Sequence, residues 1–401
     1  MIWNVVCVSV TAQSGLGPNL RGNSRAVPKE QSTTSQLVIQ PQPSTAPSPT
    51  KQPSSSSQSP MQMPVNQQAQ LAPVTAQTIA NDLQGSIQRL LAINERRRPN
   101  LPDCLPGTVL AYCVPYGSQA MVTTQTRENP AIYAVGAICW NIPCQGKTLF
   151  QISGDRVIAR VGENYQSVPG EFLAMLAFSE IAPNYEIKAG STSRTLEHLI
   201  NTEKRNCSRG QNQSLVLAGL SFYTSPDEHW KNSLGEDWTL ERLVYEELSR
   251  RADQSSADVT NQLLGLSAAV QKYQLSKRPL PGSFAGAVTH LETYQRFALS
   301  VQNHDGTWHP LFFVSKGASP DSDSVFYATA HIMRALVYSL PQEQLNDPQI
   351  HRGISILATL ISQRTVSYSQ GSDKQIRGMT VGLHALSIYS QRVYGQTLLV
   401  P

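Results

Sequence analysis

Glu171, Asn261, His331 and His384 are the side chains whose types could do chemistry together, and each stands near the start of a segment whose apolar spacing predicts a helix. A carboxylate, an amide and two imidazoles are groups that move protons or hold a polar ligand. A polysaccharide lyase or hydrolase needs Tyr, His, Asn and Arg together, or paired carboxylates, at a mouth where helix N-termini converge. Each residue also has an ordinary reading. Glu171 follows Pro169-Gly170 and suits a first turn as a partner of the helix dipole. His331 and His384 lie among apolar residues, as hydrogen-bonded core histidines do. Only convergence on one cavity makes a site of them, so the sequence leaves open whether the chain is an enzyme.

The elements that must position these residues follow a rhythm. "TIANDLQGSIQRLLAINERRR" carries Ile79, Leu83, Ile87, Leu90 and Leu91 on one helical face. A proline-rich loop follows, then "ENPAIYAVGAICW" as a short apolar helix, and "TLFQISGDRVIARVG" reads as a β-hairpin about Gly154-Asp155. Apolar helices begin near Ala131, Glu171, Gln213, Thr260, Ala328 and Met379, at spacings of 40, 42, 47, 68 and 51 residues. Amphipathic helices are predicted between them at 193–205, 239–250, 284–301 and 349–363. Helices apolar all round belong inside and one-striped helices outside. The expectation is an all-α fold: an (α/α)6-like toroid of helical hairpins with one short β-hairpin. An open solenoid is the alternative; closure is favoured because neither end shows a polar capping repeat.

Phe297-Ala298-x3-Gln302-x3-Gly306-x-Trp308 resembles the QW motif of squalene–hopene cyclases and their relatives. Physically it belongs to the end of an outer helix. Gly306 lets the chain turn, Asp305 can make an Asx-type turn, Gln302 can bond backbone groups left free at a helix terminus, and Trp308 covers that amide. With "SVPGEFLAMLAFSEIAPNY", "LEHLINTEKRNC", "HWKNSLGEDWTLERLVYEEL" and "GLHALSIYSQRVYG", the chain over residues 78 to 396 resembles an uncharacterised bacterial family of exported α/α-toroid proteins. That resemblance implies no activity. Some members carry a Cys-Gly-Gly-Thr-His-Arg block where this chain has Ala257-Asp258-Val259-Thr260-Asn261-Gln262. Terpene cyclases of this superfamily protonate an alkene through Asp-x-Asp-Asp; the nearest string here, Asp321-Ser-Asp323-Ser, reads as a helix cap. Prenyltransferases of the superfamily hold zinc through Asp, Cys and His; Cys207, His331 and His384 are the types present, without the Asp-x-Cys spacing.

Other chemistries find little footing. No Gly-x-Ser-x-Gly, Walker or dinucleotide loop occurs. Cys104, Cys113, Cys139 and Cys144 lack zinc-knuckle spacing and read as candidates for one or two disulfides in an exported protein. No metal and no cofactor is expected. The net charge of +4 is thin and its one basic run, Arg96 to Arg98, ends a helix, so nucleic acid is not expected as a partner. No run approaches the ~20 apolar residues of a transmembrane helix. Residues 1–12 read as a truncated signal segment and 13–76 as a disordered linker. From Pro41 to Ala80 there are 8 Pro, 7 Ser and 8 Gln, with Lys51 the only charge. The toroid domain is expected at 77–401. An exported, periplasmic or cell-envelope binding or scaffold protein is the first expectation, with an unidentified ligand or envelope partner. A toroid enzyme acting on a polysaccharide or an isoprenoid is the alternative.

Overall fold

The computed structural model describes residues 74–124, 131–253, 255–311 and 316–395. The segment read at 1–12, and the linker up to residue 73, lie outside the described residues.

The fold is mostly helical, with thirteen α-helices and four two-stranded antiparallel sheets among the described residues. Seven helices are short or present one buried stripe: α1 (Ala76–Asn81), α2 (Leu83–Glu95), α4 (Ala134–Cys139), α6 (Leu196–Asn206), α8 (Leu240–Ser249), α10 (Gly282–Ser300) and α12 (Pro348–Ser362). Six others bury most of their surface: α3 (Pro106–Tyr116), α5 (Glu171–Phe178), α7 (Ser214–Tyr223), α9 (Ser256–Gln274), α11 (Ser322–Ser339) and α13 (Asp373–Tyr394). The six pack in succession, α3 on α5, α5 on α7, α7 on α9, α9 on α11 and α11 on α13. The cycle closes because α13 packs back on α3. Small residues permit this closeness. A Cβ on Gly265 of α9 would lie 2.2 Å from the Ser214 carbonyl oxygen at the head of α7.

The first of the six was misread in the sequence. The stretch predicted as a proline-rich loop contains α3. Pro106 occupies its first position, where the missing N–H costs nothing, and the side chains from Val109 to Cys113 are buried. The segment beginning at Ala131 is instead a short strand followed by the six-residue α4, which packs on α3. Three further helices start earlier than their apolar runs suggest. Ser255, Asp321 and Ser372 accept backbone N–H bonds as caps and add polar first turns to α9, α11 and α13. Asp321, weighed as part of an acid motif, is therefore a cap. The expected first helix breaks at Asp82, whose carboxylate caps α2 through the Gly85 N–H at 2.9 Å.

The expected hairpin pairs β3 (Phe150–Ser153) with β4 (Arg156–Ala159). It is one of four, not the only one. β1 (Met121–Thr123) pairs with β2 (Ala131–Tyr133), β5 (Glu186–Ala189) with β6 (Thr192–Thr195), and β7 (Trp230–Lys231) with β8 (Asp237–Trp238). The strands of the first and fourth sheets are only two or three residues long, too short for an alternating pattern to register.

Cys104, Cys113, Cys139 and Cys144 are buried free thiols rather than disulfides, as is Cys207. They fill the core as small apolar side chains, and burial pushes the Cys104 thiol up to about 11 and the Cys144 thiol up to about 12.

The Gln302–Trp308 stretch ties three helices. Gln302 donates from Nε2 to the Gly306 and Gln349 carbonyls, each at 3.1 Å, joining the end of α10 to the start of α12. Asp305 Oδ1 accepts the Thr307 N–H at 2.9 Å, and Gly306 takes φ +93°. A Cβ there would also lie 2.8 Å from the Arg352 carbonyl oxygen. Trp308, fully enclosed, donates to the Ala298 carbonyl at 2.7 Å, while its own N–H bonds Thr329 of α11. Trp308→Ala should lower unfolding stability by about 3–5 kcal/mol. Trp308→Phe, which keeps most of the ring, should lose less than half of that. Equal losses in urea unfolding would make the indole bond rather than the packing the main contribution.

Candidate functional site

A cavity of about 490 Å³ is lined by residues of α3, α5, α7, α9, α11 and α13. Glu171, Asn261 and His331 all line it. His384 does not. It sits one layer away, its ring 5.8 Å from that of Phe178.

The polar wall is a set of carboxylates and guanidiniums. Glu171, first residue of α5, accepts the Ser167 N–H and hydroxyl on Oε2 (2.5 and 2.9 Å) and Arg377 Nη1 on Oε1 (2.5 Å). Arg377 also gives its Nε to both oxygens of Asp373 (2.8 and 3.0 Å). Between two carboxylates, its guanidinium is pushed well above the ordinary value, although burial alone acts in the opposite direction. A second knot lies at α9, where Arg250 bonds Asp258 at 2.9 Å and Glu247 at 3.3 Å. Asp258 further accepts Asn212 at 2.7 Å and the Asp253 N–H at 2.8 Å. The acids Glu171, Asp258 and Asp373 stand in the first turns of α5, α9 and α13, where the helix dipoles favour negative charge.

Arg334 is different. It is 6% exposed, yet among the described residues no carboxylate lies within ion-pairing distance of it. Its Nη2 donates to Asn261 Oδ1 at 2.7 Å, and its Nε is enclosed with no acceptor. Burial, and secondarily the Arg377 charge, outweigh Tyr327 and Glu171 and bring its pKa down to about 10. His331, one turn earlier on α11, lies against Tyr327 with ring centroids 4.4 Å apart. Burial first, then Arg334 and Arg377, hold its pKa well below the ordinary histidine value, so the ring is neutral. Its Nδ1 is 3.3 Å from Thr260 Oγ1 and its Nε2 has no partner.

The remaining wall is apolar. Ala174, Leu215, Ala218, Leu264 and Ala268 form a cluster separate from the main core, with Val168, Phe178 and Tyr338 packed on it. Several of these face the cavity. The arrangement can hold a polar molecule with one hydrocarbon face. Among the described residues no group of three or more His, Cys, Asp or Glu side chains is placed to hold a metal ion.

Sequence reasoning missed Arg334, Arg377 and Tyr327. The signal was an arginine inside an otherwise apolar helix, in "HIMRALVYSL" and "KQIRGMTVGL". A charge with no polar face to occupy needs a buried partner or a ligand.

No family model, curated protein or solved structure matches the chain.

Two variants should separate the guanidiniums. Arg377→Met leaves Glu171 and Asp373 without their cation and should cost about 3–5 kcal/mol. Arg334→Met removes a buried charge with no counter-ion and should change stability by less than about 1 kcal/mol in either direction. Equal losses in denaturant unfolding would mean that Arg334 is compensated as fully as Arg377.

His384 offers a pH test. Burial first and Arg334 second push its pKa down from 6.5 to about 3. The unfolded chain takes up a proton before the folded one. The stability of the neutral ring is therefore complete above about pH 6.5 and lost as the pH falls toward 3. Between about pH 7 and pH 4.5 the native chain should lose about 2–3 kcal/mol more than His384→Leu. Parallel stability curves would contradict a neutral buried His384.

Proposed function

We propose that the described residues form an (α/α)6 toroid whose cavity binds a small polar ligand, and that the chain works as a binding module of the cell envelope. The cycle of packing from α3 through α13 and back to α3 supports the toroid, with the one-striped helices as an outer layer. The composition of residues 13 to 76 supports a tethered module. No helix among the described residues is long and apolar enough to cross a membrane.

One observation carries the binding reading. Glu171, Asn261 and His331, up to 160 positions apart in sequence (331 − 171), face a single cavity backed by its own apolar cluster. A void of this size with convergent polar groups has the dimensions of a small-molecule site.

A second reading, a polysaccharide lyase, draws on Tyr327, His331, Asn261 and Arg334 lining the same cavity. A tyrosine acting as base must ionise readily, and burial pushes the Tyr327 phenol up, with Asp373 and Glu171 adding to burial against Arg377 and Arg334. Binding without turnover is the better-supported use.

Native mass spectrometry of the full chain tests this reading. The chain should carry or take up small polar molecules, and Ala257→Trp, which fills the mouth from α9, should abolish uptake while leaving the melting temperature within a few degrees. Uptake unaffected by Ala257→Trp would place binding elsewhere. A time-dependent release of unsaturated sugar from a polyuronate would favour the lyase.

A further inference from the structure

We infer that the ligand of this cavity is a sugar acid: a carboxylate seated against the Arg334 guanidinium, with a neighbouring hydroxyl donating to His331 Nε2. The inference rests on the reading that the cavity binds a small polar molecule, and goes further by fixing its chemical class.

The carboxylate follows from charge. Four guanidiniums line the cavity, those of Arg250, Arg251, Arg334 and Arg377, against four carboxylates, those of Glu171, Asp253, Asp258 and Asp373. Arg250 and Arg377 are each held by two carboxylates. Arg251 and Asp253 are exposed at the rim, where water screens them. Arg334 is left as the one buried cation of the wall without a counter-ion among the described residues. A guanidinium fork matches a carboxylate geometrically, and a ligand that supplies the missing charge gains what a neutral one cannot. A dianion such as phosphate fits less well. Among the described residues Arg334 is the one buried guanidinium of the wall without an ion-pair partner, so a second negative charge would have none to meet and would face Glu171 and Asp373.

The hydroxyl follows from the tautomer of His331. The Thr260 hydroxyl donates to the Ser256 carbonyl at 2.6 Å, with the Ala257 carbonyl 3.2 Å away. Its proton is thereby committed, and toward His331 Nδ1, 3.3 Å distant, the threonine oxygen can only accept. The proton of the neutral ring is on Nδ1, and Nε2 presents a lone pair. Two enclosed polar atoms on residues that line the cavity are thus left without partners, the donor Arg334 Nε–H and the acceptor His331 Nε2, one helical turn apart on α11. A carboxylate beside a hydroxyl complements both. The apolar cluster with Leu215, Leu264 and Phe178 then suits the hydrocarbon face of a sugar ring. Such a unit comes either as a free sugar acid or as the terminal uronate of a polysaccharide.

Isothermal titration on the full chain decides, with glucuronate, galacturonate, glucose, inorganic phosphate and a uronate trisaccharide as probes. At least one uronate should bind, with glucose weaker by about 30-fold or more. Arg334→Met should lose about 100-fold for uronates and change glucose little. His331→Phe should lose most of the preference for a uronate over cyclohexanecarboxylate, which lacks the ring oxygen and the hydroxyls, while still binding the latter. Trisaccharide tighter than monosaccharide assigns the site to a polymer end; monosaccharide alone assigns it to the free acid. Glucose or phosphate binding as tightly as the uronates, in a manner blocked by Ala257→Trp, overturns the sugar acid and leaves the cavity as a binding site. No binding of any probe, with Ala257→Trp indistinguishable from native throughout, overturns both.

Discussion

A guanidinium taken out of water must recover a counter-charge, and the candidate site depends on how three arginines meet that demand. Arg377 of α13 meets it through Glu171 of α5, 206 positions away in sequence, and through Asp373 of its own first turn. Arg250 meets it through Asp258 and Glu247. These two knots fix how α13 approaches α5 and how α8 approaches α9, and so set the walls of the cavity. Arg334 alone does not meet it, and its Asn261 bond supplies a dipole where a charge is called for.

The rest of the fold makes this tolerable. The six apolar helices pack in succession and bury most of their surface, which excludes water from the polar residues they carry. Their acids and caps gather at N-terminal turns, where helix dipoles favour negative charge, and the same turns surround the cavity. The apolar wall of the cavity is built of alanine, leucine and aromatic rings, with Phe178 in contact with both Tyr338 and His384. His384 belongs to this filling. Its charge state is a consequence of packing and of Arg334, and it stands behind the site, not in it.

Much of the helical pattern was legible because the amphipathic helices α6, α8, α10 and α12 carry single apolar stripes that periodicity detects. Their boundaries fell within a few residues. α3 escaped because Pro106 and Pro115 suggest a loop, whereas one begins the helix and the other lies in its last turn. The three missed sheets are held by turns and by tertiary contact rather than by an alternating sequence. For the site, Glu171, Asn261 and His331 stood out as polar residues entering apolar runs. The arginines were passed over because a lone basic residue in a helix is usually a solvated one. Only the contacts show that Arg334 and Arg377 are enclosed. The four cysteines misled in the opposite sense, since close spacing in sequence is no guide to whether sulfurs bond or merely fill a core.

The most direct measurement is a crystal structure of the full chain grown in carboxylate-free buffer and then soaked with glucuronate. The account predicts the sugar carboxylate at about 3 Å from Arg334, with a ring hydroxyl on His331 Nε2 and the Arg377–Glu171 pair undisturbed. Glucuronate elsewhere on the molecule, or Arg334 turned to pair with a carboxylate of the chain itself, would contradict it.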